Sequence, residues 1–88
     1  MPWDYSFDER ALRELENLDH QAQSDILAYL DQRIASAENP RRFGKPLRAS
    51  LAGLWRYRVR DYRLICQIKE QRLHVLVLSV GHRKNVYD

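Results

Sequence analysis

Apolar and polar positions along this 88-residue chain follow two different periods. In the first forty residues the apolar side chains recur every three or four positions, which is the period of helices buried on one side. From Leu54 onward they alternate or run continuously, as they do in half-buried and fully buried strands. The pattern therefore predicts helices followed by strands, an α+β arrangement.

Two helices are predicted in the first half of the chain. Ser6 followed by Glu9 is a capping-box pattern and opens the first helix. Its apolar stripe comprises Ala11, Leu12, Leu15 and Leu18. Asp19 is predicted to cap the second helix, which ends at Asn39–Pro40 because the residue before proline avoids the helical region. The short link between the helices predicts an antiparallel helical hairpin.

The strands complete a single domain over residues 1–88. Pro2–Ser6 is predicted as a short strand, which Pro2 confines to a strand start or a sheet edge. The stretch Leu54–Ile68 reads as two strands joined by a tight turn, and Leu73–Val80 as a buried central strand. The predicted order is β-α-α-β-β-β, with a three-stranded antiparallel sheet that becomes four-stranded if the N-terminal strand joins it.

Arginines form a row on the predicted β-hairpin. Alternation places Arg56, Arg58 and Arg60 on one face of the sheet, and Arg63 opens the next strand. Like charges at this spacing repel one another unless they spread into water or meet an anion. The residues alone leave two interpretations open: a solvated arginine face, or a surface for a nucleic-acid backbone.

The net charge of +3 is unevenly distributed. Residues 1–40 carry three arginines and nine acidic residues, whereas residues 41–88 carry twelve lysines and arginines and three acidic residues. An acidic first half and a basic second half predict that an anionic ligand meets the second half. The loop-like stretch Pro40–Gly53 contributes Arg41, Arg42, Lys45 and Arg48 without an acidic residue, and these are candidate phosphate contacts.

Several motifs are absent from the sequence, although a catalytic triad of residues that are distant in sequence stays open. It has no glycine-rich phosphate loop, its three histidines lack metal-ligand spacing, and no serine is recognisably placed beside a histidine and an acid. Cys66, the single cysteine, is predicted to pack in the core, and His74 is predicted to have a structural rather than a catalytic role. No apolar run approaches about 18 residues and no leader pattern opens the chain, so we expect a cytoplasmic protein without a membrane partner.

The stretches Leu54–Ile65 and Ser79–Tyr87 resemble the RelE/ParE toxin superfamily of bacterial type II toxin–antitoxin systems, as does the preceding Pro40–Leu47. The chain resembles RelE more closely than ParE because its basic tail ends in a tyrosine. The resemblance implies a ribosome-dependent endoribonuclease that cuts mRNA in the A site. In RelE-type toxins the 2′-hydroxyl attacks the adjacent phosphate, giving a 2′,3′-cyclic phosphate and a 5′-hydroxyl without a metal or other cofactor.

The resemblance also implies roles for individual residues. Arg56 and Arg58 occupy the positions of two active lysines in RelE, Arg63 resembles a phosphate-binding arginine, and the tail supplies two more groups. Of these, Arg83 resembles the group that stabilises the leaving oxygen, and Tyr87 the tyrosine that orients the nucleotide. Arginine essentially cannot lose its proton. We therefore take His82 as the candidate general base and Tyr87 as the weaker one. Further RNA contacts are expected from Arg41, Arg42, Lys45, Arg48, Arg60 and Lys84.

The expected partners follow from the same resemblance. They are a RelB-like antitoxin encoded by the neighbouring gene, the 70S ribosome with its mRNA, and operator DNA contacted through the antitoxin. Two alternatives remain: a ParE-like inhibitor of DNA gyrase, and a basic nucleic-acid-binding module without activity, because a shared fold does not fix a function.

Overall fold

A computed structural model describes residues 3–36 and 38–82 and contains two helices packed on a five-stranded sheet. The helices are α1 (Glu9–Glu16) and α2 (His20–Tyr29). The strands are β1 (Asp4–Phe7), β2 (Lys45–Pro46), β3 (Trp55–Val59), β4 (Tyr62–Lys69) and β5 (His74–His82). The predicted α+β class is confirmed. Within the described residues, neither helix has the length and apolar character needed to cross a membrane.

The strand order is β1-β5-β4-β3-β2. β3, β4 and β5 form the predicted antiparallel meander, and β5 is an inner strand as expected. Two features differ from the prediction: β1 pairs with β5 in parallel, and the two-residue β2 extends the other edge beside β3. A strand of two residues that ends in a proline leaves no periodic signal in a sequence, so β2 could not be anticipated.

The start of α1 corrects the predicted cap. Asp8 is the N-cap, and its carboxylate accepts a hydrogen bond from the Ala11 amide at 2.9 Å. Ser6 instead stays in β1, two residues earlier. The prediction for α2 is confirmed, because Asp19 caps that helix and accepts from the Ala22 amide at 2.7 Å.

The second helix winds more widely after Tyr29. Residues Leu30–Ala35 form a π-helical continuation, in which Leu30 and Ile34 are both fully buried. The sequence predicted that this helix ends at Asn39–Pro40, but its π-helical continuation already ends at Ala35. Asn39 caps a separate 3₁₀ turn, Pro40–Arg42, by accepting a hydrogen bond from the Arg41 amide at 2.9 Å.

The hydrophobic core lies between the helices and one face of the sheet, here called the helix face. Its members from the strands include Tyr57, Val59, Leu64, Cys66, Val75, Val77 and Val80. Burial raises the pKa of the Cys66 thiol, as expected for a cysteine that fills core space. Leu12, predicted in the buried stripe of the first helix, is 44% exposed, and Leu27 of α2 is 37% exposed. On each helix, the buried stripe is thus narrower than the stripe of apolar residues in the sequence.

A tyrosine joins the edge strand to the second helix. The Tyr5 hydroxyl donates a hydrogen bond to Asp31 Oδ1 at 2.6 Å. Burial, followed by this hydrogen bond and the charge of Asp31, raises the pKa of Tyr5 from 10.0 to about 12. The phenol therefore holds its proton in the folded protein at a pH where tyrosines of the unfolded chain lose theirs.

We expect the contribution of Tyr5 to stability to be complete below pH 10 and to be lost as the pH rises toward about 12. The Asp31→Asn variant removes the negative charge but leaves the burial, so its Tyr5 should titrate at a lower pH that is still above 10. Phenolate absorbance, recorded as the difference from Tyr5→Phe, measures this pKa. An unchanged value in Asp31→Asn would contradict the contribution of Asp31.

Candidate nucleic-acid interface

Three of the predicted site arginines lie on one face of the sheet. Arg58 of β3 stands directly opposite Arg63 of β4, and Arg56 stands opposite Ile65. Directly opposed residues of an antiparallel pair share a face, and Tyr57 and Val59 point into the core on the other side. Arg56, Arg58 and Arg63 therefore share the face that is turned away from the helices, here called the arginine face.

The three arginines differ in burial. Arg58 is exposed, Arg56 is half-buried, and only 7% of Arg63 is accessible. Because packing restricts the rotamers of a buried side chain, Arg63 presents its charge from a fixed position. Ile65, the next residue of β4 on the same face, is also buried, at 6% exposure. The arginine face thus combines one fixed guanidinium with a more mobile one on the adjacent strand.

Arg60 does not belong to the predicted row. β3 ends at Val59, and Arg60 occupies the turn with a φ of +55°. Its Nε lies 2.9 Å from Asp25 Oδ2 of α2. The turn redirects the side chain toward the helices, which alternation along an unbroken strand could not predict. Arg41 is likewise paired, with Glu70.

His82 is separated from the arginines by the register of β5. It stands opposite Tyr62, and their rings meet edge to face with centroids 5.7 Å apart. Gly81 is the residue opposite Arg63. Because Tyr62 is paired with Val59 of the core, His82 projects on the helix face. The described strand pairing thus opposes the hypothesis that His82 acts beside Arg63. The other predicted tail residues, Arg83, Lys84 and Tyr87, lie outside the described residues.

A serine, a histidine and an acid meet at the β1–β5 edge, although no sequence motif indicated such a group. The parallel register places Asp4 opposite His74. His74 Nε2 lies 2.8 Å from Ser6 Oγ, and His74 Nδ1 contacts Asp4 Oδ1. The order of the contacts is that of a hydrolytic triad, but His74 serves here to tie β1 to β5, in line with its predicted structural character.

A basic cleft lies beside β3, where β2 begins. It has a volume of about 400 Å³ and is lined by Tyr29, Arg42, Phe43, Gly44, Lys45, Arg56 and Arg58. Two of the predicted loop contacts, Arg42 and Lys45, are therefore brought beside the arginines of β3. Arg48 is exposed just before the short 3₁₀ helix Ala49–Leu51 and does not line the cleft.

The loop that forms this cleft is fixed by two hydrogen bonds from β3. Trp55 Nε1 donates to the Phe43 carbonyl at 2.7 Å, and the Tyr57 hydroxyl donates to the Pro40 carbonyl at 2.7 Å. Gly44 lies against the strand with a φ of +76°, and a Cβ there would fall 2.3 Å from the Arg56 carbonyl oxygen. The sequence predicted a loop here but gave no indication of a cleft.

Comparisons with known proteins agree with this architecture. The sequence matches the family described as ParE toxin of type II toxin-antitoxin system, parDE, over residues 5–87. It is 32% identical over 87 residues to Toxin RelG of Mycobacterium tuberculosis, covering 99% of this chain and 98% of that protein.

Two solved complexes contain similar chains. A chain of the toxin-antitoxin complex RelBE2 from Mycobacterium tuberculosis superposes with a TM-score of 0.85 at 31% identity, covering 94% of this chain and 100% of that one. A chain of the intact E. coli RelBE complex gives a TM-score of 0.72 at 26% identity, covering 91% and 95%.

The helical pair on a five-stranded sheet defines the class as a RelE-type toxin fold. The chain belongs to the RelE/ParE superfamily, and it is a toxin of a type II toxin–antitoxin system. The family predicted from the arginine-rich hairpin and the basic tail is confirmed.

Gly44 and Gly53 allow a matched test of how the cleft loop is held. Both have positive φ, but a Cβ at Gly53 would meet nothing within 4 Å. We expect Gly53→Ala to lower the free energy of unfolding by about 1 kcal/mol through backbone strain alone. Gly44→Ala adds the clash with β3 and should cost more than about 2 kcal/mol. Urea denaturation measures both, and equal losses would show that the close approach at Gly44 is unimportant.

Proposed function

We propose that this toxin is a ribosome-dependent endoribonuclease that cleaves mRNA in the ribosomal A site without a metal. The observation that carries the proposal is the grouping of Arg56, Arg58 and Arg63 on the arginine face. The similarity to Toxin RelG and to the chain of the E. coli RelBE complex supports the RelE-like alternative within the superfamily.

The arginine face suits the charge that develops during cleavage by a 2′-hydroxyl. Attack on the adjacent phosphate forms a five-coordinate phosphorane with additional negative charge, and the bond to the 5′-oxygen then breaks. Preorganised cations lower the energy of such a state because they need not reorient as charge develops. Arg63 supplies the fixed cation, and Arg58, directly across the strand pair, supplies the second. Arg83 is proposed to stabilise the leaving 5′-oxygen, which takes a proton from water and becomes the 5′-hydroxyl.

These arginines cannot take the proton from the 2′-hydroxyl. His82 was the first candidate, but its projection on the helix face with Tyr62 weighs against it. We therefore assign the proton transfer to Tyr87, the other group named by the resemblance. Because guanidinium groups favour the ionised form of an adjacent phenol, the arginine face is a suitable partner for Tyr87 in this role.

We further propose that a RelB-like antitoxin, encoded by the neighbouring gene, silences the toxin and carries the pair to operator DNA. The solved relatives include toxin-antitoxin complexes. The partly exposed Leu12 and Leu27 offer apolar contacts on the two helices, and the basic second half offers charge complementarity to an acidic segment.

A gyrase-directed toxin is the second candidate, and the match to the ParE toxin family favours it. Such a toxin would act by binding a protein and would leave mRNA intact. Induction in bacteria, followed by primer extension on an abundant mRNA and by a DNA supercoiling assay, separates the two. Growth arrest with intact mRNA and blocked supercoiling would overturn the RNase proposal.

The arginine face predicts the effect of removing one exposed guanidinium. Arg58→Ala should reduce cuts within translated codons on the order of 100-fold, because it removes a cation from the transition state. Arg10→Ala, which removes an exposed arginine of α1 that is paired with Glu14, should leave cleavage unchanged. The double variant Arg83→Ala/Tyr87→Ala should abolish the cuts. Full cleavage in Arg58→Ala would show that the arginine face is not the active site.

The register of β5 predicts that His82 is dispensable for proton transfer. His82→Gln should keep cleavage within about threefold of the parent, whereas Tyr87→Phe should lower it about 100-fold or more, the usual cost of losing a general base. Single-turnover cleavage on programmed ribosomes measures both. Loss of cleavage in His82→Gln, with ribosome binding intact, would return the role to His82.

A further inference from the structure

The basic cleft beside β3 is distinct from the point where Arg58 meets Arg63, although Arg58 borders both. Arg56 of β3 also lines it, and two further cations, Arg42 and Lys45, come from the preceding loop. No acidic side chain is among the residues that line it. A concave site that carries one sign of charge concentrates field lines and attracts ligands of the opposite sign. The cleft is therefore suited to an anion.

The cations of the cleft also differ from the other basic residues of the loop and turn. Arg41 and Arg60 are engaged by Glu70 and Asp25. Within residues 3–36 and 38–82, no carboxylate forms an ion pair with Arg42, Lys45 or Arg58. Among the predicted RNA contacts, the structure thus separates Arg41 and Arg60, which the protein neutralises, from Arg42 and Lys45, which line the cleft. Arg48 belongs to neither group.

Aromatic rings complete the cleft. Phe43 and Tyr29 both contribute to its lining, and the Arg33 guanidinium lies 5.1 Å from the centroid of the Phe43 ring. Bases stack on aromatic side chains without requiring a particular hydrogen-bond pattern. The volume of about 400 Å³ falls within the range of sites for small organic ligands and so accommodates more than a bare phosphate.

We propose that this cleft binds one nucleotide of the RNA next to the scissile phosphate. Its phosphate is held by Arg42, Lys45 and Arg58, and its base packs against Phe43 and Tyr29. The inference rests on the proposed function, because Arg58 would then contact both the scissile phosphate and the neighbouring nucleotide. It adds a specificity site: the base in the cleft contributes to the choice of cleavage position.

The shape of the cleft is fixed by contacts within the protein. Trp55 and Tyr57 hold the loop carbonyls of Phe43 and Pro40, and Gly44 permits the close approach of the loop to β3. A preformed site binds without the entropic cost of ordering a loop. Weak but measurable binding of a single nucleotide is therefore expected, without the ribosome.

The test is titration of the purified toxin with adenosine 5′-monophosphate, uridine 5′-monophosphate and inorganic phosphate, followed by amide chemical shifts. Nucleotides should bind more tightly than phosphate and should shift residues of the cleft. Arg42→Glu should weaken nucleotide binding about tenfold or more. Arg72→Glu, the same charge change at an exposed position outside the cleft, should change it less than about twofold. Phe43→Leu should reduce nucleotide affinity about tenfold but leave phosphate affinity unchanged.

Equal weakening by Arg42→Glu and Arg72→Glu would overturn the proposal, because it would indicate nonspecific charge attraction. Equal affinity of the parent for nucleotide and phosphate would also overturn it, since the rings would then contribute nothing. Thermal unfolding verifies that each variant folds. Because these readouts need no cleavage, they are separable from the primer extension assay. Binding without mRNA cleavage would leave the cleft assigned and the RNase proposal rejected, and the reverse would reject only the cleft.

Discussion

Five opposed residue pairs, from Trp55–Cys66 to Val59–Tyr62, join β3 to β4, and the rest of the molecule depends on this register. The register directs Tyr57 into the core against the helices and Arg58 to the other side, facing Arg63. A shift by one residue would exchange the two faces, burying arginines and exposing apolar side chains. Because burying those charges is costly, the same strand register determines both the fold and the position of the candidate site.

The elements that the sequence predicted well are those specified by local periodicity. The helices and the β3–β4–β5 meander follow from side chains that repeat at helical or strand spacing. The pairing of β1 with β5 joins residues about seventy positions apart, and no local pattern encodes it. The predicted cap of α1 was wrong because Ser6 and Asp8 are both good capping residues. Ser6 belongs to β1 and pairs with Leu76 of β5, so Asp8 caps the helix.

Site placement was predictable for arginines on regular strand positions but not where a strand is interrupted. Arg60 left the row because β3 had already ended. In β5 the register shifts between the pairs Ile65–Ser79 and Cys66–Val77, so one extra residue is accommodated there. A bulge reverses the alternation beyond it. Unbroken alternation from the buried Val77 would have put His82 on the arginine face, and the bulge turns it to the helix face instead.

The parallel contact between β1 and β5 also bears on how the protein is made. β1 leaves the ribosome before its partner strand β5, which extends to His82. The sheet cannot be completed until nearly the whole described chain has been synthesised, and such distant pairings form slowly. During that interval β1 has no β5 with which to pair, and Trp3 and Tyr5 lack the core side chains that β5 contributes. The toxin therefore lacks a complete sheet while it is being synthesised. An antitoxin already present at that time would contact the chain before the sheet is complete.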